Sequence, residues 1–128
     1  MSSGVLDMVT LASIRELDEP GEPSLLAEMV STFRTWSEAQ LHGLRDSVAA
    51  GDMEAIADGA HALKGSAAAL GALQVRRVAF EIERSARQRS FVGNANLEAL
   101  EAARIEALAA LDQVLDDDDR ALLWTIAA

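Results

Sequence analysis

The sequence contains no cysteine and only two prolines in 128 residues. The lack of cysteine excludes a disulfide framework and any metal site that depends on thiolate ligands, and it fits a cytoplasmic protein. Proline interrupts helices, so its scarcity leaves room for long ones. Because alanine and leucine dominate and β-branched residues are few, we expect an all-α fold.

Basic residues are also scarce. The chain has 11 lysines and arginines against 21 aspartates and glutamates, which gives a formal net charge of −10. This charge opposes non-specific binding to nucleic acid or to an anionic membrane. There is no apolar run of about 18 residues, and the N-terminus lacks a basic segment followed by an apolar one. We therefore expect neither a transmembrane helix nor a signal peptide.

Glycine-rich phosphate-binding loops are missing as well. The sequence contains neither a P-loop motif nor a G-x-G-x-x-G motif. We therefore expect no ATP site, no kinase activity of its own and no cofactor of its own.

The sequence does contain five amphipathic segments with helical periodicity. They cover about 5–17, 23–51, 52–71, 72–89 and 95–115. Four long amphipathic helices with short connections predict an antiparallel up-down four-helix bundle, with the additional short N-terminal helix across one end. In the first segment, Leu11 and Ile14 either face the core or extend an apolar patch on the surface.

We expect residues 1–128 to form a single domain with its core at about 6–115. Residues 116–119 are four consecutive aspartates, and they oppose the helix macrodipole at the end of the last predicted helix. We therefore expect a break there. The short apolar segment 120–128 could pack on the bundle or serve as an interaction segment, and packing is favoured.

The third segment carries an unusual group of residues opposite its apolar stripe. His61, Lys64 and Gly65 lie at positions i, i+3 and i+4, so they share one surface of the helix. A glycine inside a helix costs about 0.5–1 kcal/mol relative to alanine. Gly65 either lets another surface approach closely or is a tolerated glycine packed against a neighbouring helix.

The neutral imidazole of His61 is a nucleophile near neutral pH and can take a phosphoryl group as a covalent intermediate. Lys64 could neutralise part of the charge that this group brings. No residue of this segment is suited to act as a base that activates His61, and the reaction does not require such a base. The alternative for His61 is a surface histidine without function. We interpret His42 in this way, because it has no acidic or histidine partner at metal-ligand spacing.

Residues 61–67, His-Ala-Leu-Lys-Gly-Ser-Ala, are followed by Leu-Gly-Ala at 70–72. This pattern resembles the signature of histidine phosphotransfer (HPt) domains, and the resemblance extends from about Leu6 to about Leu115. HPt domains accept a phosphoryl group from an aspartate of a receiver domain and pass it to another receiver. The resemblance thus implies a phosphotransfer intermediate of a two-component phosphorelay.

The resemblance also assigns residue roles. It implies that His61 is the phospho-acceptor, that Lys64 stabilises the phosphate and that Gly65 permits close approach. Arg87 lies where the family often has a basic residue and is a further candidate. The partners implied are response-regulator receiver domains, which bring their own Mg²⁺, and a hybrid histidine kinase. A monomer is expected.

Two alternatives stay open. The chain could be a non-catalytic helical adaptor that binds a receiver or a kinase through the His61 face. It could also be the HPt domain of a chemotaxis-type histidine kinase, although no ATP-binding domain follows and the chain looks complete. Transfer of phosphate to His61 separates the first alternative from the phosphorelay function.

Overall fold

A computed structural model describes residues 4–91 and 93–127, with side chains described as far as Ala121. This part of the chain forms five α-helices. They are α1 (Met8–Arg15), α2 (Leu25–Ala50), α3 (Met53–Leu70), α4 (Leu73–Arg87) and α5 (Asn94–Ala127). The predicted all-α class and the bundle with a short N-terminal helix are confirmed. No helix in the described ranges combines the length and the apolar character needed to cross a membrane.

The ends of α2 and α3 follow from local sequence signals. Ser24 and Asp52 precede the two helices, and each side chain accepts a hydrogen bond from a backbone amide of the first turn. Gly51 and Gly71 terminate them in the left-handed conformation, with φ of 68° and 70°. The two helices therefore begin and end close to the predicted positions.

The four long helices pack as a ring in the order α2, α3, α4, α5, and α5 returns to contact α2. Ion pairs from Arg34 to Asp112 and from Arg45 to Glu101 show that α2 and α5 run antiparallel. The predicted apolar stripes face the centre of the ring. The buried stripe residues of α3 and α4 are Ile56, Ala60, Leu63, Ala67, Leu70, Val75, Val78, Ala79, Ile82 and Ala86.

The segment before α1 attaches it to the end of the bundle where α3 meets α4. The amide of Asp7 donates to the carbonyl of Gly71 at 2.7 Å, and the amide of Leu73 donates to the carbonyl of Val5 at 3.0 Å. A Cβ on Gly71 would lie 2.9 Å from the Asp7 carbonyl oxygen, so this contact requires glycine.

Leu11 and Ile14 are buried in the core, so they do not extend a surface patch. The exposed apolar side chains of this region are instead Met8, Val9 and Leu17. The sequence did not decide whether Leu11 and Ile14 face the core or the surface, because the first segment has more apolar residues than one buried stripe requires. The contacts of α1 with α2 and α3 decide which side of α1 faces inward.

The break expected at residues 116–119 is wrong, because α5 continues through them to Ala127. The macrodipole acts over the last turn of a helix, and these aspartates lie before that turn. Asp118 also accepts two hydrogen bonds of 3.1 Å from Arg15 of α1. The side chains of residues 122–128 lie outside the described part of the chain. The predicted packing of the apolar segment 120–128 therefore also lies outside it.

Candidate functional site

His61 lies on the outer face of α3, where 63% of its side chain is exposed. Its Nδ1 atom is 2.8 Å from Oε2 of Glu83, which belongs to the neighbouring helix α4. Glu83 lies one position after buried Ile82, and only 12% of its side chain is exposed. The exposed imidazole is thus held by a carboxylate that is itself buried between two helices.

Both oxygens of Glu83 are occupied. Nζ of Lys64 donates to Oε1 at 2.7 Å, and Nη2 of Arg87 approaches Oε2 at 3.4 Å. Burial raises the pKa of Glu83, but the hydrogen bonds and charges of Lys64 and His61 outweigh it, so the pKa lies below its ordinary value. Glu83 is therefore ionised at neutral pH and accepts hydrogen bonds only.

This arrangement decides which nitrogen of His61 is available. Because the carboxylate of Glu83 can only accept, Nδ1 must carry the proton of this hydrogen bond. In the neutral ring the lone pair then lies on Nε2, on the other side of the imidazole. The site therefore presents Nε2 as its nucleophile, and Glu83 fixes both the ring orientation and the tautomer.

Gly65 lies one turn after His61 and is exposed. A Cβ built on it would meet no atom within 4 Å, whereas a Cβ on Gly59 would lie 3.0 Å from Leu44. Gly59 thus packs against a neighbouring helix and Gly65 does not. The interpretation of Gly65 as a packing glycine is wrong, and the bare backbone faces open space beside His61.

Arg87 is the remaining predicted site residue. Arg87 reaches Glu83 and also Asp58, at 3.4 Å each, so it joins the site through the carboxylate rather than through His61. Ser66, the residue after Gly65, lines a groove between α2 and α3 that also includes Met29 and Trp36. His42 is exposed on α2, as predicted.

Glu83 is not among the site residues that the sequence predicted. The signal was present, because Ala79, Glu83 and Ala86 follow the steps of four and three that define the buried stripe of α4. A carboxylate on a buried stripe requires partners. Lys64 and His61 on α3 supply them, and that pairing depends on how the two helices pack.

The chain is similar in sequence and fold to histidine phosphotransfer domains. Residues 28–117 match the sequence model of the Hpt domain. The fold is similar to that of histidine-containing phosphotransfer protein B (HptB) from Pseudomonas aeruginosa PAO1, with a TM-score of 0.75 and 31% identity over 88% of this chain and 95% of that one. No curated protein sequence matches the chain.

A second similar structure is the histidine-containing phosphotransfer domain of ArcB from Escherichia coli. Its TM-score is 0.57, with 19% identity over 83% of this chain and 98% of that one, which supports the fold alone. The chain belongs to the Hpt domain family. Its function is histidine phosphotransfer in a phosphorelay, and proteins of this family interact with receiver domains and histidine kinases.

Proposed function

We propose that His61 is the phospho-acceptor, taking a phosphoryl group from a receiver-domain aspartate and passing it to the aspartate of another receiver. The observation that carries this assignment is the hydrogen bond of 2.8 Å between Nδ1 of His61 and buried Glu83. In the neutral ring this bond places the lone pair on Nε2, and the ring is exposed. The other histidine, His42, has no such carboxylate among its described contacts.

Transfer forms one bond and breaks one. Nε2 of His61 attacks the phosphorus of the aspartyl phosphate, the Nε2–P bond forms, and the P–O bond to the aspartate breaks to release its carboxylate. Nδ1 keeps its proton, so the phosphorylated ring is cationic. Glu83 lies against that proton and stabilises the positive charge. Attack by the second receiver's aspartate reverses these changes and regenerates the neutral ring.

Lys64 and Arg87 supply positive charge next to the transferred group. Lys64 is held by Glu83 one turn from His61, and Arg87 approaches the same carboxylate from α4. Hydrogen bonds between such cations and phosphate oxygens are short and strong. The Mg²⁺ that assists phosphoryl transfer comes with the receiver, and this chain contributes no cofactor of its own.

The decisive experiment incubates the protein with receiver domains phosphorylated with labelled phosphate. The unmodified protein should acquire label, and mass spectrometry should locate it on His61. The variant His61→Gln should acquire none, with an unchanged helical circular dichroism spectrum, because His61 is exposed. His42→Gln is the matched control and should accept label normally.

Two results would refute the assignment. Label on His61→Gln would place the acceptor elsewhere. Binding of a receiver without any transfer of label to the unmodified protein would instead identify an adaptor that uses the His61 face.

A further inference from the structure

A groove between α3 and α4 lies immediately beside His61. Its lining includes Lys64, Gly65 and Ala68 from α3 and Arg76, Arg77 and Phe80 from α4, and its volume is about 570 Å³. We call it the basic groove. Gly65 lines it directly, so the open space next to His61 and the basic groove form one continuous surface.

The charge of the basic groove is opposite to that of the protein. Three cationic side chains line it and no carboxylate does, although the chain carries a net charge of −10. The groove between α2 and α3 includes Glu28, and two further grooves beside α5 include Glu101. Positive charge is therefore concentrated on the α4 side of His61.

The cations of the basic groove differ in how they are used. Lys64 donates to Glu83, and Arg77 donates to Gln74 and to Glu81. The side chain of Arg76 is exposed and makes no hydrogen bond or ion pair with the described part of the chain. Its charge is fully available to a molecule that enters the groove.

An aromatic ring lies among these cations. Phe80 follows Arg76 by one turn and is 48% exposed, and Nζ of Lys64 lies 5.6 Å from the centre of its ring. Glu83 follows Phe80 on the same side of α4, and it is buried and already bonded to His61 and Lys64. The basic groove therefore contains one exposed aromatic ring, Phe80, with cationic side chains around it.

We propose that the basic groove docks an acidic segment of the receiver domain that exchanges phosphate with His61, with carboxylates at Arg76 and an apolar side chain against Phe80. This proposal rests on the proposed function, and it adds that the basic groove selects which receiver domains bind. An acidic receiver is repelled by the protein as a whole, and a local positive surface beside the reacting nitrogen attracts it in one orientation. Exposed aromatic side chains within such surfaces commonly carry much of the binding energy.

The test measures the affinity of unphosphorylated receiver domains of the source organism by isothermal titration calorimetry. The probe is the receiver that binds the unmodified protein most tightly. Arg76→Glu should weaken its binding about tenfold at about 0.05 M salt and by less at about 0.5 M, because salt screens exposed charges. Phe80→Ala should weaken binding about tenfold at both salt concentrations.

Arg120→Glu on α5 is the matched control. Arg120 is exposed, and its replacement changes the formal net charge from −10 to −12, as Arg76→Glu does. It should change the affinity by no more than about twofold. A lysine in place of the receiver carboxylate that faces Arg76 should restore binding to Arg76→Glu.

Equal effects of Arg76→Glu and Arg120→Glu would overturn the proposal, as would the absence of any receiver that binds. Failure of the proposed function is recognised separately, because it appears as a receiver that binds without labelling His61. In that case the affinities of the same variants still decide whether the basic groove is the docking surface.

Discussion

Charged side chains form ion pairs between helices on two sides of this bundle, and the ion pairs of the two sides differ in arrangement and burial. Between α2 and α5, Arg34 pairs with Asp112 and Arg45 pairs with Glu101, one to one. All four side chains are nearly half exposed. Between α3 and α4, a single buried carboxylate, Glu83, is shared by several donors.

This difference separates structural charges from functional ones. An exposed one-to-one pair stabilises a protein by about 0–1 kcal/mol and can be replaced without consequence elsewhere. A buried carboxylate must keep its partners, because an unpaired buried charge is costly. Glu83 therefore fixes the positions of His61 and Lys64, whereas the pairs of α2 and α5 fix nothing beyond themselves.

The largest effect should come from removing the shared carboxylate. Glu83→Ala leaves Lys64 without its acceptor and lets the ring of His61 adopt either tautomer. We expect the free energy of unfolding to fall by about 1–3 kcal/mol. We expect the rate of phosphoryl transfer to fall about 10- to 100-fold, the range found when a carboxylate that orients a metal-binding histidine is lost.

Urea denaturation and single-turnover transfer from a phosphorylated receiver measure these two quantities. Glu101→Ala on α5 is the control, and it should leave the transfer rate unchanged. Normal transfer by Glu83→Ala would remove Glu83 from the reaction.

The next effect concerns Gly65. Gly65→Gln should slow transfer about tenfold or more, because its side chain enters the space that the receiver occupies. Gly43 of α2 is the matched control, since a Cβ there also meets nothing within 4 Å. Gly43→Gln should transfer normally.

Both variants should be more stable than the unmodified protein by about 0.5–1 kcal/mol in thermal or urea unfolding, because each removes a glycine from a helix. Equal transfer rates of the two variants would show that close approach at Gly65 is not needed.

A smaller effect is the pH dependence of stability. The pKa of Glu83 is lowered in the folded protein, so its ionised form stabilises the fold above the ordinary value of 4.5, and this contribution is lost as the pH falls through the lowered value. Unfolding of the unmodified protein and of Glu83→Gln should be compared from about pH 7 to about pH 3. The advantage of the unmodified protein should shrink below about pH 4.5, and a constant difference would contradict the lowered pKa.

The smallest effect is expected on the α2–α5 side. Arg45→Ala should lower the free energy of unfolding by about 0–1 kcal/mol and leave phosphoryl transfer unchanged. Urea denaturation and the transfer assay measure both. A loss of transfer would mean that the two sides of the bundle are not independent.

Periodicity and capping residues predicted much of the fold correctly. The apolar spacing of α3 placed Ile56 and Leu63 in the core and His61 on the surface, because a helix has only one geometry for a given spacing. The prediction failed at 116–119, where the local dipole argument assumed a helix end. Asp118 has a partner on α1, Arg15, which lies 103 residues away in the sequence.

The positions of α2, α3 and α4, their buried faces and the grouping of His61, Lys64 and Gly65 followed from the sequence, because these depend on the geometry of one helix at a time. The contact of Glu83 with His61 and the open space beside Gly65 became visible only once the helices were packed together. These facts depend on how α3 packs against α4. The spacing of residues along one helix contains no information about the rotation and register of its neighbour.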